Sequence, residues 1–100
     1  MPAGALMAGS LAVSIMNHYV YVIKSSATGR IYIGSTRNVR QRLKLHNSGV
    51  TVSTRKRGPW NLELVEEYPT RSLAEKREAF LKSGEGRRVL RFKGIIQTGV

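Results

Sequence analysis

The alternation of hydrophobic and polar positions predicts strands in the first part of the chain. Residues His18–Lys24, HYVYVIK, are rich in Tyr, Val and Ile, which is typical of a strand. The turn SSATG follows, and its Gly29 can adopt positive φ. Arg30–Gly34 then reads as the second strand of a hairpin, and a third strand is predicted at about Asn61–Tyr68.

The hairpin carries three of the four tyrosines in the chain. Strand residues two apart share a face, so Tyr19 and Tyr21 lie together. A loop with an even number of residues would place Tyr32 on that face, whereas an odd loop would turn it over. We expect the even loop and therefore a cluster of Tyr21 and Tyr32. This cluster is either an ordinary cross-strand aromatic pair or part of a reactive site.

Residues 38–49, NVRQRLKLHNSG, show the spacing of a helix. Asn38 is a suitable N-cap, and Gly49 is a suitable end. Arg42 and His46 stand at positions i and i+4, so both project from one face of this helix. The predicted apolar stripe beside them consists of Val39 and Leu43.

A second helix is predicted from near Ser72 to about Ser83, before a GEG break. Ser72 and Glu75 fit a capping box, which gives Glu75 a structural role and points it away from the apolar stripe. Glu78 falls on the flank of the stripe, where a site could meet the core. The predicted stripe consists of Leu73, Ala74, Phe80 and Leu81.

These elements predict an α+β domain with a small, largely antiparallel three-stranded sheet flanked by helices. The order is ββαβα, with room for a short final helix. Residues 1–16 are uncharged and rich in Ala, Gly and Ser, and we expect a disordered tail there. They lack the basic region of a secretory signal and are too short and Gly-broken to span a membrane. The expected folded domain is therefore 17–93, with a second tail at 94–100.

Charge is the strongest signal in the composition. Seventeen Lys and Arg face six acids, which gives a net charge of +11. A positive electrostatic field attracts polyanions, of which nucleic acid is the commonest. The alternative interpretation is a basic surface that is merely solvated and binds no polyanion. The absence of cysteine excludes disulfides and thiolate zinc sites, and it fits a cytoplasmic protein.

The acidic residues limit the kind of metal site that the chain can build. All six are Glu, and there is no Asp. A two-metal nuclease needs several clustered carboxylates, which this chain does not supply in number. Any metal would therefore be held by one Glu together with substrate oxygens, as magnesium often is.

The ordered motifs resemble the GIY-YIG nuclease superfamily. Tyr32-Ile33-Gly34 is the second half of the motif as it stands, and Tyr19-Val20-Tyr21 occupies the first half, with Tyr19 in place of Gly. Arg42 and His46 fall where family members carry an Arg and a following His or Tyr. The stretch 74–78, AEKRE, resembles the helix with the metal-binding Glu, and Glu78 is the better fit.

The resemblance covers about residues 18–93 and is closest to the small stand-alone members. It implies hydrolysis of a DNA phosphodiester with one divalent ion, Mg²⁺ or Mn²⁺. Many members carry an Asn after the metal-binding Glu, and no Asn follows Glu78 here. The implied roles are water activation by Tyr21, hydrogen bonding to the nucleophile or phosphate by Tyr32, charge stabilisation by Arg42, proton transfer by His46 and metal binding by Glu78.

One of these roles sets an electrostatic requirement. The pKa of an ordinary tyrosine is about 10, so Tyr21 would be a poor base at neutral pH. Nearby positive charge would have to lower the pKa of Tyr21.

The loop TRKRGPW at 54–60 is a candidate contact for a phosphate backbone. Its consecutive cations are Arg55, Lys56 and Arg57. Trp60 could stack on a base, but we favour a role as the anchor of the third strand. The other predicted nucleic-acid contacts are Arg37, Arg87 and Arg88.

The leading interpretation is a structure- or damage-directed DNA endonuclease. The alternative is a catalytically inactive module that binds DNA or RNA on the same fold, and RNA cleavage is a third possibility. Both classes explain the charge, and only the ordered Tyr, Arg, His and Glu set favours the enzyme. We expect no membrane association, and the sequence leaves the oligomeric state open.

Overall fold

The computed structural model describes residues 17–97, which form a three-stranded antiparallel sheet and three helices. The predicted α+β architecture is confirmed, and the short final helix is present. No helix within these residues has the length and apolar character needed to cross a membrane. The elements are β1 (His18–Ser25), β2 (Ile31–Thr36), α1 (Val39–Ser48), a 3₁₀ turn (Val52–Thr54), β3 (Trp60–Tyr68), α2 (Arg71–Lys82) and α3 (Gly84–Phe92).

The central strand β1 is covered on both faces. It pairs antiparallel with β2 on one side and with β3 on the other. Successive side chains of a strand point to opposite faces, so Val20 and Val22 enter one core while Tyr21 and Ile23 enter another. The first core also contains Ile33, Ala74, Leu81, Leu90 and Ile95, and the second contains Trp60 with Tyr32, Val39 and Leu43 packed against it.

The hairpin register decides the face of Tyr32. Ile23 pairs with Tyr32, and Tyr21 pairs with Gly34. Directly opposed residues of an antiparallel pair share a face, so Tyr32 lies on the same face as Tyr21. The even-loop prediction is therefore confirmed.

Helix α1 begins and ends where its capping residues predict. The Asn38 side chain accepts a hydrogen bond from the backbone N–H of Gln41, at 3.1 Å. Gly49 ends the helix with φ 84°, which a residue with a side chain adopts only at a cost. These two caps define the ends of α1, and Val39 and Leu43 between them pack against the second core.

Helix α2 begins one residue earlier than the sequence pattern suggests, and the predicted Ser72–Glu75 capping box is wrong. Thr70 is the N-cap, and its hydroxyl accepts from the backbone N–H of Leu73 at 3.2 Å. Ser72 already lies in the first helical turn, where its hydroxyl cannot serve as the cap. Glu75 instead forms an exposed i,i+4 ion pair with Arg71 at 2.9 Å.

The predicted apolar stripe of α2 is only partly buried. Ala74 and Leu81 are fully buried, but Leu73 and Phe80 remain 43% and 37% exposed. Between them, Arg77 forms an ion pair with Glu66 of β3 at 2.8 Å, and its guanidinium lies 5.1 Å from the centroid of the Phe80 ring. The ion pair and the cation–ring contact of Arg77 therefore cover this side of the helix, where the sequence predicted a buried apolar stripe.

The packed region continues past residue 93, where the sequence placed the start of a tail. Ile95 is only 5% exposed and belongs to the first core. Lys24 of β1 also donates a hydrogen bond to the Ile95 carbonyl at 2.9 Å. The predicted tail at 94–100 thus begins inside the packed domain, and the predicted tail at 1–16 lies outside the described residues.

The cap assignment of α2 is testable with two single substitutions. Thr70→Ala removes the side-chain acceptor for the Leu73 N–H and should lower the free energy of unfolding by about 1 kcal/mol. Ser72→Ala should leave it nearly unchanged, because the Ser72 hydroxyl does not cap the helix. Urea unfolding followed by circular dichroism measures both. A larger loss in Ser72→Ala than in Thr70→Ala would contradict the assignment.

Candidate active site

A buried hydrogen bond between Tyr21 and His46 forms the centre of the site. The Tyr21 hydroxyl lies 2.8 Å from His46 Nε2, and each residue is 1% exposed. Tyr32 closes the cluster, with its ring centroid 6.2 Å from that of Tyr21 and 4.6 Å from that of His46. A residue of β1, one of β2 and one of α1 thus meet where helix α1 crosses the hairpin.

Gly34 leaves the space that the Tyr21 phenol occupies. A Cβ atom at this position would lie 2.6 Å from the Tyr21 hydroxyl oxygen and 2.8 Å from Cζ, well inside van der Waals contact. Any side chain at residue 34 would therefore push the hydroxyl away from His46. The Gly of Tyr32-Ile33-Gly34 is required by this packing, a role that the sequence pattern alone did not reveal.

Thr54 holds the far side of the imidazole. Its hydroxyl oxygen lies 2.9 Å from His46 Nδ1, and its carbonyl accepts from the Trp60 indole N–H at 3.2 Å. Trp60 is only 4% exposed and packs in the core. The interpretation of Trp60 as the anchor of the third strand is therefore confirmed, and its ring has no exposed face for base stacking.

Arg42 lies one helical turn before His46 and flanks the Tyr21 phenol. Its Nε atom is buried and has no hydrogen-bond partner among residues 17–97. An unpaired buried donor of a charged group is costly, so such atoms are rare without a function. The guanidinium lies within hydrogen-bonding reach of the Tyr21 phenol, while its Nε remains without a partner.

Burial keeps the side chains of Tyr21 and His46 neutral. It raises the pKa of Tyr21, and the neighbouring Tyr32 and Glu78 add to this effect, while Arg42 opposes it. Arg42 thus acts in the direction that water activation by Tyr21 would require, but burial outweighs it and the net pKa of Tyr21 is raised. Burial also lowers the pKa of His46, and the Arg42 charge lowers it further. The resting pair is a neutral phenol hydrogen-bonded to a neutral imidazole.

Glu78 approaches the site from helix α2, on the opposite face of the sheet. Its Oε1 accepts from the Ser35 hydroxyl at 2.9 Å, and its Oε2 pairs with Lys82 at 2.7 Å. Glu78 is close enough to influence the pKa of Tyr21. Glu75 is engaged with Arg71 at the exposed surface of the helix. Glu78 therefore does not share the face of the tyrosine cluster, but it is the carboxylate of α2 whose charge acts on Tyr21.

The donor set around Glu78 fits a metal that takes few protein ligands. In the part of the chain that the structure describes, no three His, Cys, Asp or Glu residues form a group that could hold an ion. Mg²⁺ commonly binds through one or two carboxylates while substrate phosphates and water complete its shell. A single carboxylate oriented by a neighbouring hydroxyl meets this requirement once Lys82 releases Oε2.

Comparison with known proteins identifies the family. Residues 17–90 match the family described as the GIY-YIG catalytic domain. The chain belongs to the GIY-YIG family. This is a nuclease family, and its members therefore act on nucleic acid.

The chain is also similar to individual proteins. The chain is 37% identical over 76 residues to the UPF0213 protein of Staphylococcus aureus strain Mu3, an alignment that covers 75% of this chain and 92% of the relative. The UPF0213 proteins of strains Mu50 and N315 match to the same extent. A solution NMR structure of the UPF0213 protein from Bacillus halodurans is 35% identical, covers 76% of this chain and 83% of its own, and superposes with a TM-score of 0.46.

The predicted nucleic-acid contacts of this GIY-YIG domain fall on different surfaces. Arg87 lines a surface cavity of about 250 Å³ together with Tyr32 and Lys82, next to the tyrosine cluster. Arg88, its neighbour in the chain, instead forms an exposed ion pair with Glu85 at 3.7 Å. The cations of the 54–60 loop, Arg55, Lys56 and Arg57, are all exposed, and Arg37 lines a separate cavity of about 460 Å³ beside α1.

Three residues that support the GIY-YIG side chains from outside were not predicted from the sequence: Ser35, Thr54 and Lys82. Lys82 stands four positions after Glu78, and this helical spacing could have identified the pair. Ser35 and Thr54 offer no such signal, because each contacts its partner across two different elements. Their roles depend on how β2, α1 and the 3₁₀ turn come together.

The lowered pKa of His46 predicts a pH dependence of stability. The folded protein binds a proton at His46 less readily than the unfolded chain does. The free energy of unfolding should therefore be highest above about pH 6.5 and should decrease as the pH falls below that value, toward the lower pKa of the folded state. His46→Gln keeps one hydrogen-bond donor and one acceptor but does not titrate.

The difference between the two proteins isolates the effect of His46. We expect urea unfolding between pH 8 and pH 5 to show a steeper decline in the free energy of unfolding for the wild type than for His46→Gln. Each unit of difference between the folded and unfolded pKa of His46 corresponds to ~1.4 kcal/mol. Parallel curves of unfolding free energy against pH for the two proteins would mean that burial does not lower the pKa of His46.

Proposed function

We propose that this protein is a metal-dependent endonuclease that hydrolyses DNA phosphodiester bonds and recognises the structure or damage of the DNA. The observation that supports this proposal most directly is the buried, unpartnered Nε of Arg42 beside the phenol of Tyr21. A phosphoryl oxygen would satisfy that donor. A phosphate bound at this position would lie next to the Tyr21 hydroxyl, which accepts a proton from the attacking water in this proposal.

The proton path in this proposal follows the observed hydrogen bond. Tyr21 is neutral, so it cannot accept a proton from water unless it gives up its own. His46 Nε2, at 2.8 Å, is the acceptor for that proton. As the water transfers a proton to the Tyr21 oxygen, the phenol proton moves to His46 and the water oxygen bonds to phosphorus. The bond to the leaving sugar oxygen breaks, and that oxygen takes a proton from solvent.

The cations of the site stabilise the charge that develops on phosphorus. Arg42 donates to a phosphoryl oxygen from a buried position, where such a contact is worth more than in water. Tyr32 presents its phenol beside the same cluster and hydrogen-bonds the phosphate or the attacking water. Arg42 and Tyr32 therefore orient the substrate, while Tyr21 and His46 move the proton.

Glu78 would hold one divalent ion, Mg²⁺ or Mn²⁺, together with oxygens of the substrate. The bound ion would supply Lewis-acid stabilisation of the phosphoryl oxygens. Ser35 orients the carboxylate for this role through its 2.9 Å hydrogen bond. Lys82 balances the charge of Glu78 in the ion-free protein, and it can turn toward the cavity that it shares with Arg87 and Tyr32.

The surface favours contact with the phosphate backbone over reading of bases. Trp60 is buried, and the exposed cations of the 54–60 loop provide charge without an aromatic platform. DNA is the proposed substrate, with RNA as the alternative that differs only in the sugar. A catalytically inactive binding module is the rival function. A cytoplasmic location is part of the proposal, since the chain contains no cysteine that would depend on an oxidising compartment.

Two glutamates on one helix provide a matched test of catalysis. Glu78→Ala should abolish metal-dependent cleavage and leave DNA binding intact or slightly tighter, because the carboxylate repels the phosphates when no metal is bound. Glu75→Ala removes only an exposed ion pair and should retain cleavage. Tyr21→Phe keeps the packed ring but removes the hydroxyl, so it should lose cleavage and remain folded. Cleavage of branched, nicked and single-stranded DNA, with and without Mg²⁺ or Mn²⁺, measures all three.

The outcomes separate the proposed function from its rivals. If the wild type binds DNA but cuts no substrate with either metal, the protein is a binding module. If Glu75→Ala abolishes cleavage and Glu78→Ala does not, Glu78 is not the metal ligand. A matched RNA panel decides between the two nucleic acids.

The basic loop makes a separate prediction about binding. Replacing Arg55, Lys56 and Arg57 together with Ala should weaken binding to all DNA sequences alike. It should also flatten the plot of log K against log salt by about 0.9 for each phosphate contact that is lost on duplex DNA. Fluorescence anisotropy at several salt concentrations measures the slope. An unchanged slope would show that the loop does not contact the backbone.

A further inference from the structure

We propose that Thr54 is a positioning residue that holds His46 in a single tautomer, with the proton on Nδ1 and Nε2 available to Tyr21. This inference deepens the proposed function, since it concerns the same proton path. It also makes a statement about the resting protein that does not depend on cleavage.

Two contacts of the Thr54 hydroxyl bear on this tautomer. Its oxygen lies 2.9 Å from His46 Nδ1, and a longer contact of 3.4 Å joins the hydroxyl to the Thr51 carbonyl oxygen. A hydroxyl has one proton to donate, and a carbonyl can only accept. With that proton directed to Thr51, the hydroxyl presents a lone pair to the imidazole. His46 Nδ1 must then carry the hydrogen.

The opposite ring nitrogen is consistent with the same tautomer. His46 Nε2 lies 2.8 Å from the buried Tyr21 hydroxyl. Arg42, which lies beside the same phenol, has donors and no acceptor, so it cannot take the phenol proton. In the proposed tautomer that proton is donated to His46 Nε2.

Thr54 is itself held firmly in place. It is 1% exposed, so water does not substitute for its hydroxyl. Its backbone carbonyl accepts two hydrogen bonds, from the Trp60 indole at 3.2 Å and from the Arg57 N–H at 3.3 Å. Thr54 ends the 3₁₀ turn that leads directly into Arg55–Arg57. The segment expected to contact the phosphate backbone thus also carries the residue that orients His46.

The tautomer matters because the proton path has one direction. If the hydrogen were on Nε2, His46 could not accept the Tyr21 proton, and Tyr21 could not accept one from water. An imidazole locked by a neighbouring group is a general way to keep such a path open, as the triad of serine proteases illustrates. When Tyr21 passes its proton to Nε2, the Thr54 oxygen also stabilises the imidazolium by accepting from Nδ1–H.

The test uses two substitutions of matched size. Thr54→Val removes the hydroxyl and keeps the branched shape, and Thr54→Ser keeps the hydroxyl and removes a methyl group. Nitrogen-15 NMR of the histidine rings distinguishes the tautomers at a pH where His46 is neutral. The wild type and Thr54→Ser should show a protonated Nδ1 and an unprotonated Nε2. Thr54→Val should shift the signals toward the other tautomer, while His18, the second histidine of the chain, should not change.

Cleavage kinetics provide the second readout. Thr54→Val should lower kcat about 10- to 100-fold, as for loss of a group that orients a histidine through its second nitrogen. KM should change little, and Thr54→Ser should restore most of kcat. A loss of folding would lower the active fraction without changing the tautomer of the remaining folded protein. Circular dichroism and the NMR spectrum detect that case.

The outcomes are distinguishable from failure of the proposed function. A protonated Nε2 in wild-type His46, or an unchanged tautomer in Thr54→Val, would overturn the role of Thr54 whether or not the protein cuts DNA. If the NMR result is as expected but the wild type cuts nothing, the tautomer lock stands and the nuclease proposal fails. If Thr54→Val changes the tautomer and retains full kcat, His46 does not accept the proton.

Discussion

The arrangement of the site depends on the contact between the Tyr21 phenol, the bare backbone at Gly34 and the imidazole of His46. The phenol can reach His46 only because residue 34 has no side chain, since a Cβ there would lie 2.6 Å from the hydroxyl oxygen. This one contact joins β1, β2 and α1. Through the second nitrogen of His46, it also fixes the 3₁₀ turn and the basic loop. A shift of any of these elements would break the same hydrogen bond.

The features that were predictable from the sequence follow from local periods. The strand period of two and the even loop put Tyr21 and Tyr32 on one face, and the register agrees. The helical spacing of four put Arg42 and His46 on one face of α1, and both side chains flank the Tyr21 phenol. These predictions succeeded because each depends on backbone geometry within one hairpin or one helix.

The features that escaped prediction depend on contacts between distant segments. Thr70 and Ser72 are both good caps, and only the path of the chain after β3 decides between them. Arg77 lies in the apolar stripe of α2 because Glu66 of β3 and the ring of Phe80 receive its guanidinium. The net shift in the pKa of Tyr21 was unpredictable for a related reason. The sequence indicated that a cation was nearby, but it gave no measure of burial, which contributes more to the pKa of Tyr21.

Arg42 and Glu78 place opposite charges on the two sides of the sheet edge, and this arrangement bears on how a single carboxylate could serve a metal site. Arg42 presents an unpartnered buried donor beside two neutral groups, so its side of the site is short of negative charge. Glu78 approaches from α2 with its carboxylate balanced by Lys82. A phosphodiester between them would supply the missing anion to Arg42, and its oxygens would supply the further ligands that a metal at Glu78 requires. Binding of the metal and binding of the phosphate would then be coupled. If the bound phosphate raises the affinity for the metal, the bound metal raises the affinity for the phosphate by the same factor. Under the proposed function, a site with one carboxylate in a chain of net charge +11 would be completed by a polyanionic substrate.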